Sequence, residues 1–165
     1  MQLDDFFDYK NQLMEDLLTT EPIVKLLDGN ISMNDTPKLA YTQVFPYEYI
    51  PDTVEEAATF ICFDVDVQES LNKTFLSPVL YVWVFSHKTR LRLAEGGVQT
   101  DKLVSEIAKK INGSRFYGLG ELNLYSVRRF APVTNYQGKV MTFRMTEWNR
   151  PSPSNKPIPA NRKTV

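Results

Sequence analysis

Residues 78–113 read PVLYVWVFSHKTRLRLAEGGVQTDKLVSEIAKKING, and the architecture can be argued from this segment. Its first part, residues 79–85, is β-branched and aromatic and apolar on both alternating faces, which predicts a strand covered on two sides. After a basic loop, Thr100 is placed to cap a helix that ends before Gly113, with apolar residues at Leu103, Val104, Ile107 and Ile111. A buried strand and a one-sided helix together require further strands and a helix packed on the sheet.

Length and composition are those of one soluble domain with appendages. The 165 residues are 42% hydrophobic and 24% charged, and no apolar run approaches the roughly 20 residues that a membrane helix needs. Met1 is followed by Leu3, Asp4 and Asp5 instead of a basic and then an apolar segment, so we expect no secretory signal, synthesis in the cytoplasm and no membrane partner. The single cysteine, Cys62, fits a reducing compartment and is expected to be a buried free thiol.

The net charge of −1 conceals a strong asymmetry along the chain. Residues 1–70 contain fifteen acidic and three basic residues, a balance of −12, whereas residues 71–165 contain five acidic and sixteen basic residues, a balance of +11. A chain of this kind can direct its acidic surface onto the basic surface of a second copy or of a different partner. The alternative is that folding mixes the two halves on the surface.

The chain divides into N-terminal helices (residues 1–29), a core (residues 30–150) and a C-terminal arm (residues 151–165). The first helix follows from apolar residues at helical spacing, and the second, residues 21–27, from a capping position at Thr20 followed by Pro22. The arm is rich in proline and contains no acidic residue, so it either remains disordered or becomes ordered on a partner.

Two segments ahead of residue 78 have the composition of strands. Residues 39–45 form the first, which Pro46 closes, and the aromatic connection that follows contains Tyr47 and Tyr49 as core or contact residues. Residues 59–67 alternate cleanly, with the acidic residues facing outward. This second strand is expected to pair with residues 79–85 through an irregular polar arm at residues 68–74.

Two segments after the helix complete the sheet. Residues 122–127 alternate, and residues 139–148 form one strand with Val140, Thr142 and Arg144 opposing Met141, Phe143 and Met145, so the two predict a hairpin. The sequence therefore predicts an α+β fold. We expect a single mixed, mainly antiparallel sheet of about four to five strands, with a helix packed on it and an N-terminal helix pair.

No residue pattern identifies a catalytic or cofactor site. Asp64 and Asp66, with Glu69 nearby, could hold Mg²⁺ as in a nuclease, but outward acidic residues on a half-exposed strand are common. His87 is the only histidine and is expected to end a strand instead of serving a nucleophile. The sequence has no phosphate-binding loop and no complete dinucleotide fingerprint. We therefore expect no catalytic residue, no bound metal and no cofactor.

A basic surface for nucleic acid is a stronger candidate than a metal or catalytic site. Eight basic residues could group on one side: Lys88, Arg90, Arg92, Lys109, Lys110, Arg115, Arg128 and Arg129. The overall pI of about 5.9 argues against a dedicated nucleic-acid binder.

The order of elements resembles that of the tail-terminator and head-to-tail joining proteins of long-tailed bacteriophages and prophages. The similar features are a helix ending in VKLLDG (residues 24–29), a strand closed by FPYEYIP (residues 45–51) and the apolar strand Leu80 to Phe85. A helix ending at Ile111-Asn112-Gly113 and a final meander from Leu122 to Trp148 complete the likeness, which extends over residues 20–150.

The resemblance implies a structural virion protein in the tail or neck, assembled in the host bacterial cytoplasm, and no enzymatic activity. It implies a ring, usually a hexamer, that caps the tail tube and joins it to neck or connector proteins while genomic DNA passes through the lumen. Another neck component, such as a connector or stopper, is the nearest alternative. A metal-dependent nuclease and a nucleic-acid-binding protein are more distant ones.

The resemblance also implies roles for individual residues in such a ring. Asp64 and Asp66 would face the lumen and repel DNA phosphates, so that the genome slides through. The candidate contacts with partners are Tyr47, Tyr49, Arg90, Arg92, Arg128 and Arg129 in the core, and Pro151, Pro153, Pro157 and Pro159 in the arm.

Overall fold

The computed structural model describes residues 5–51, 57–70, 75–117 and 120–148. Its helices are α1 (Asp5–Thr19), α2 (Glu21–Leu27) and α3 (Gln99–Ile111), and two 3-10 turns cover Thr36–Leu39 and Lys88–Arg90. Its strands are β1 (Val44–Phe45), β2 (Thr59–Ser70), β3 (Phe75–His87), β4 (Asn123–Phe130), β5 (Tyr136–Arg144) and β6 (Glu147–Trp148). The fold is α+β, as the sequence predicts.

The strands form one mixed, mainly antiparallel sheet in the order β1-β2-β3-β5-β4, and the short β6 pairs with the start of β3. β1 runs parallel to β2, whereas β2-β3, β3-β5 and β4-β5 are antiparallel. The predicted hairpins are therefore confirmed, and β3 joins them by pairing with β5. β3 is thus the central strand, as its apolar composition indicates.

All three helices lie on one face of this sheet and share one apolar core. Leu80, Val82 and Val84 of β3 point into that core, and side chains from the neighbouring strands and from each helix join them: Ile61, Phe63, Met141, Phe143, Leu13, Leu17, Ile23, Leu103 and Ile107. Full burial of such a side chain contributes about 1.5–3 kcal/mol, so this layer holds most of the fold together.

The opposite face is covered over only part of its area. Phe45, Phe60, Phe85 and Tyr136 form a second aromatic cluster there, and the Tyr49 ring stacks on Phe45 at a centroid separation of 4.1 Å. Beyond this cluster, no other element of the described residues packs over the face, and Tyr81 and Trp83 of β3 are only half-buried. The prediction that residues 79–85 are covered on both sides is therefore wrong for this half, because alternation along one strand does not show what lies above it.

The predicted strand at residues 39–45 is wrong except at its end. Pro37 lies in a 3-10 turn, and the Thr42 hydroxyl donates a hydrogen bond to the Lys38 carbonyl at 2.7 Å. Tyr41 has a φ of 59°, which extended strand backbone does not permit. Only β1 remains to pair with β2, because this turn leaves no room for a longer strand.

The starts of the helices differ from the predicted caps. α3 begins at Gln99, so Thr100 is buried inside the first turn and does not cap it. Thr20 precedes α2 as predicted, but its hydroxyl donates to the Asp16 carbonyl of α1 at 2.6 Å and leaves the α2 amides uncapped. Gly113 follows α3 with a φ of 79°, which confirms its predicted position.

Irregular pairing shifts three strand predictions. A bulge between Leu124 and Ser126 interrupts β4, so Leu124 and Val127, predicted on opposite faces, pair with Phe143 and Met141 and both lie on the helix face. β5 ends at Arg144 and β6 pairs with β3, so the predicted single strand at residues 139–148 is broken. Residues 68–70, predicted as part of an irregular arm, continue β2 past a bulge.

Candidate interaction surfaces

The uncovered half of the sheet forms a shallow open depression of about 350 Å³ lined by side chains of β3, β4 and β5. Tyr81 and Trp83 stack on each other with ring centroids 5.7 Å apart and an interplanar angle of 19°. On the other side of the depression, the Arg144 guanidinium carbon lies 3.5 Å from the Tyr125 ring centroid. Aromatic rings and arginine are the residue types enriched at protein interfaces.

The basic border of this face is β4, the last strand of the sheet. Tyr125 is 57% exposed and Val127 is 44% exposed, and Arg128 and Arg129 follow them with exposed side chains. Neither arginine forms an ion pair with a carboxylate of the described residues. Register places Arg128 on the open face, opposite Val140, and Arg129 on the helix face, opposite Lys139.

The acidic border lies at the other end of the sheet. β1 pairs only with Ile61 and Cys62, so β2 is an edge strand from Phe63 onward. Asp64 is opposite Tyr81 in register, and its carboxylate lies 2.6 Å from the Lys10 ammonium of α1. Asp66 is exposed and forms no ion pair within the described residues. The lumenal position expected for both acids stays a prediction.

The two tyrosines of the connection after β1 differ from each other. Tyr49 is half-buried in the second aromatic cluster, so it helps to cover the sheet. Tyr47 is 45% exposed, so part of its ring is accessible although the ring centroid lies 5.6 Å from that of Phe45. Tyr47 is therefore accessible to a partner, and Tyr49 contributes to the core.

The two arginines of the loop after β3 also differ. Arg90 donates hydrogen bonds to the Leu27 carbonyl at 3.1 Å and to the Ala57 carbonyl at 3.3 Å, which joins the end of α2 to the start of β2. Arg92 is exposed, and its backbone forms an isolated antiparallel β-bridge with Val98. Contacts of either residue with a partner remain predictions, as do those of Pro151, Pro153, Pro157 and Pro159, which lie outside the described residues.

Cys62 and His87, the residues that could supply a nucleophile and a base, both lie on strands of the sheet. Cys62 is fully buried, and burial raises the pKa of its thiol to about 12, so the thiolate needed for nucleophilic attack does not form near neutral pH. His87 ends β3 as predicted, and its Nδ1 lies 2.8 Å from the Thr89 hydroxyl. Within the described ranges, no three His, Cys, Asp or Glu side chains are grouped as a metal site requires.

Sequence reasoning missed the open face although one signal for it was present. Thr142 and Arg144 alternate with core residues on β5, and polar residues on one side of a central strand indicate that this side lacks a full apolar cover. Applied to the neighbouring β3, the same signal would have identified Tyr81 and Trp83 as partly exposed. Alternation from Asn123 places Tyr125 on the open face, where it lies, whereas the position of Ser126 on the same face could not be predicted because it depends on the bulge.

Comparison with known protein families gives a match over most of the chain. The family model described as YomW matches residues 11–145, which covers the second part of α1, all of α2 and α3, and strands β1 to β5. No curated protein matches the chain. Among the residues that the structure describes, no helix combines the length and apolar character needed to cross a membrane.

Proposed function

Because the chain belongs to the YomW family, which is associated with Bacillus phages and prophages, we propose that it is phage-derived and is a structural protein of the virion. In this proposal it is a tail terminator. Identical copies form a ring, six by the resemblance to that class, which caps the tail tube and joins the tail to the neck. It acts by assembly and has no enzymatic activity.

The observation that carries this proposal is the opposite charge of the two ends of one sheet. Arg128 and Arg129 stand on β4, whereas Asp64 and Asp66 stand on the free part of β2. A head-to-tail interface needs two different and complementary patches on each copy, and it produces a ring when the rotation between copies closes. The acidic N-terminal part and the basic C-terminal part of the sequence thus each supply one charged end of the sheet. A chain that acts as a monomer does not need two such ends.

The open aromatic face supports contacts with further components. Its rings and the exposed Tyr47 provide apolar area beside arginine, which suits contacts with tail-tube and neck proteins. Genomic DNA would pass through the ring without sequence-specific binding. Charged side chains act on the phosphates, and contacts with phosphates do not distinguish one base from another.

Purified tail tubes provide the test. The labelled full chain is mixed with tubes assembled from the tail-tube protein of the same phage and with isolated neck or connector rings, and the mixture is imaged by electron microscopy. We expect label at one end of each tube and not along its wall. Label on isolated neck or connector rings with bare tube ends would support the connector or stopper alternative and contradict the terminator proposal.

A further inference from the structure

The outer backbone edge of β4 is open from Tyr125 to Phe130. β4 pairs only with β5, and no other backbone hydrogen bond of the described residues reaches these positions. The beginning of the strand is different: the Leu122 amide donates to the Ser114 carbonyl at 3.0 Å, and the Leu124 amide donates to Asn112 Oδ1 at 2.8 Å. The fold therefore closes one end of this edge and leaves the basic end as a template for another strand.

The free outer edge of β2 is protected by side chains and not by backbone hydrogen bonds to another strand. The Val65 amide receives no strand partner on that side and instead donates to Asp64 Oδ1 at 2.8 Å. The Asp64 side chain is held there by Lys10, which is itself 27% exposed. Charged side chains at an edge protect it from unspecific pairing with other strands. A neighbouring strand that brings its own cation can take the place of Lys10.

Strand directions make the two edges compatible. Each step from β2 through β3 and β5 to β4 reverses direction, so β2 and β4 run antiparallel to each other. If a second copy continues the sheet with the same face up, β4 of one copy meets β2 of the next in the antiparallel sense. Arg128 and Asp66 then lie on the same face, because each stands on the open face of its own sheet.

We propose that residues 127–130 of β4 add to residues 64–67 of β2 in a neighbouring copy, with Arg128 against Asp66. Backbone hydrogen bonds supply the pairing, and the charges fix its direction, because β4 against β4 would bring arginines together. Repetition of the contact gives a head-to-tail ring with a continuous sheet. This inference rests on the proposed ring, and it assigns Asp66 to the subunit interface instead of the lumen.

Charge exchange between two variants tests the contact. Arg128→Glu and Asp66→Arg each place like charges together, so we expect each to raise the concentration needed for assembly at least about tenfold, as measured by light scattering after size exclusion. An equimolar mixture restores opposite charges at every contact of an alternating ring. Its assembly should return to within about threefold of the original chain.

Controls separate this inference from the ring proposal. Lys88→Glu changes an exposed cation away from both edges and should leave assembly unchanged, and thermal melting of each variant verifies folding. Failure of the unaltered chain to assemble, alone or with tail-tube protein, would contradict the ring proposal. An assembling chain in which either exchange has no effect, or two impaired variants whose mixture does not recover, would overturn the β4-β2 contact alone.

Discussion

Gly138→Ala is expected to lower the free energy of unfolding by at least about 3 kcal/mol. Gly138 lies on β5 directly opposite Phe85 of β3. A Cβ atom built there would overlap the Val84 carbonyl oxygen and lie 2.6 Å from the Phe85 Cα. Both are backbone atoms of the central strand, so relief requires opening the β3-β5 ladder that joins the two hairpins.

The measurement is urea unfolding of the full chain, with Gly29→Ala as the matched control. Gly29 has its nearest neighbour, the Lys25 carbonyl oxygen, at 3.7 Å from the added atom, which is ordinary van der Waals contact. This control should change the free energy of unfolding by less than about 1 kcal/mol. Equal small effects at both positions would show that β3 and β5 are not as closely spaced at Gly138 as described.

Gln99→Leu is expected to lower the free energy of unfolding by about 2–4 kcal/mol. Gln99 Oε1 accepts hydrogen bonds from the Ser86 hydroxyl at 2.9 Å and from the Thr59 hydroxyl at 3.2 Å. Its Nε2 donates to the Leu26 carbonyl. Leucine has a similar volume but forms no hydrogen bond, so the Leu26 carbonyl loses its donor. The Thr59 and Ser86 hydroxyls lie 2.8 Å apart and can bond to each other, which leaves one of their two protons without an acceptor.

Gln12→Leu is the matched control for this second change, because Gln12 is exposed on α1. The same chemical substitution there should alter the free energy of unfolding by less than about 0.5 kcal/mol. A comparison of the two by urea unfolding isolates the buried hydrogen bonds. If Gln99→Leu is as stable as the control, the side chain does not connect α2 to the sheet.

The periodic parts of the fold could be predicted from the sequence. Helix α2 was expected at residues 21–27, which is where it lies, and the alternation of Val140 and Thr142 with Met141 and Phe143 gives the correct faces of β5. In both cases one local pattern fixes the structure: proline near the helix start, and apolar residues at every second strand position.

Features that depend on distant contacts could not be predicted. The hydroxyl of Thr20 bonds back to α1 instead of capping α2, and Tyr41 adopts a positive φ that no local rule assigns to tyrosine. The candidate site shows the same limit: Asp64 was expected to be an outward acid, but Lys10 reaches it from another element. Sequence identified the charges, and only the sheet order shows that Arg128 and Asp66 stand at opposite ends.

The mass of the assembled protein tests the central claim most directly. Native mass spectrometry of the full chain, alone and with its tail-tube protein, determines how many copies of the 19.0 kDa chain associate. The account predicts one closed species whose mass is a whole multiple of the chain mass, six by the resemblance to tail terminators. A monomer at every concentration, both with and without tail-tube protein, would contradict it.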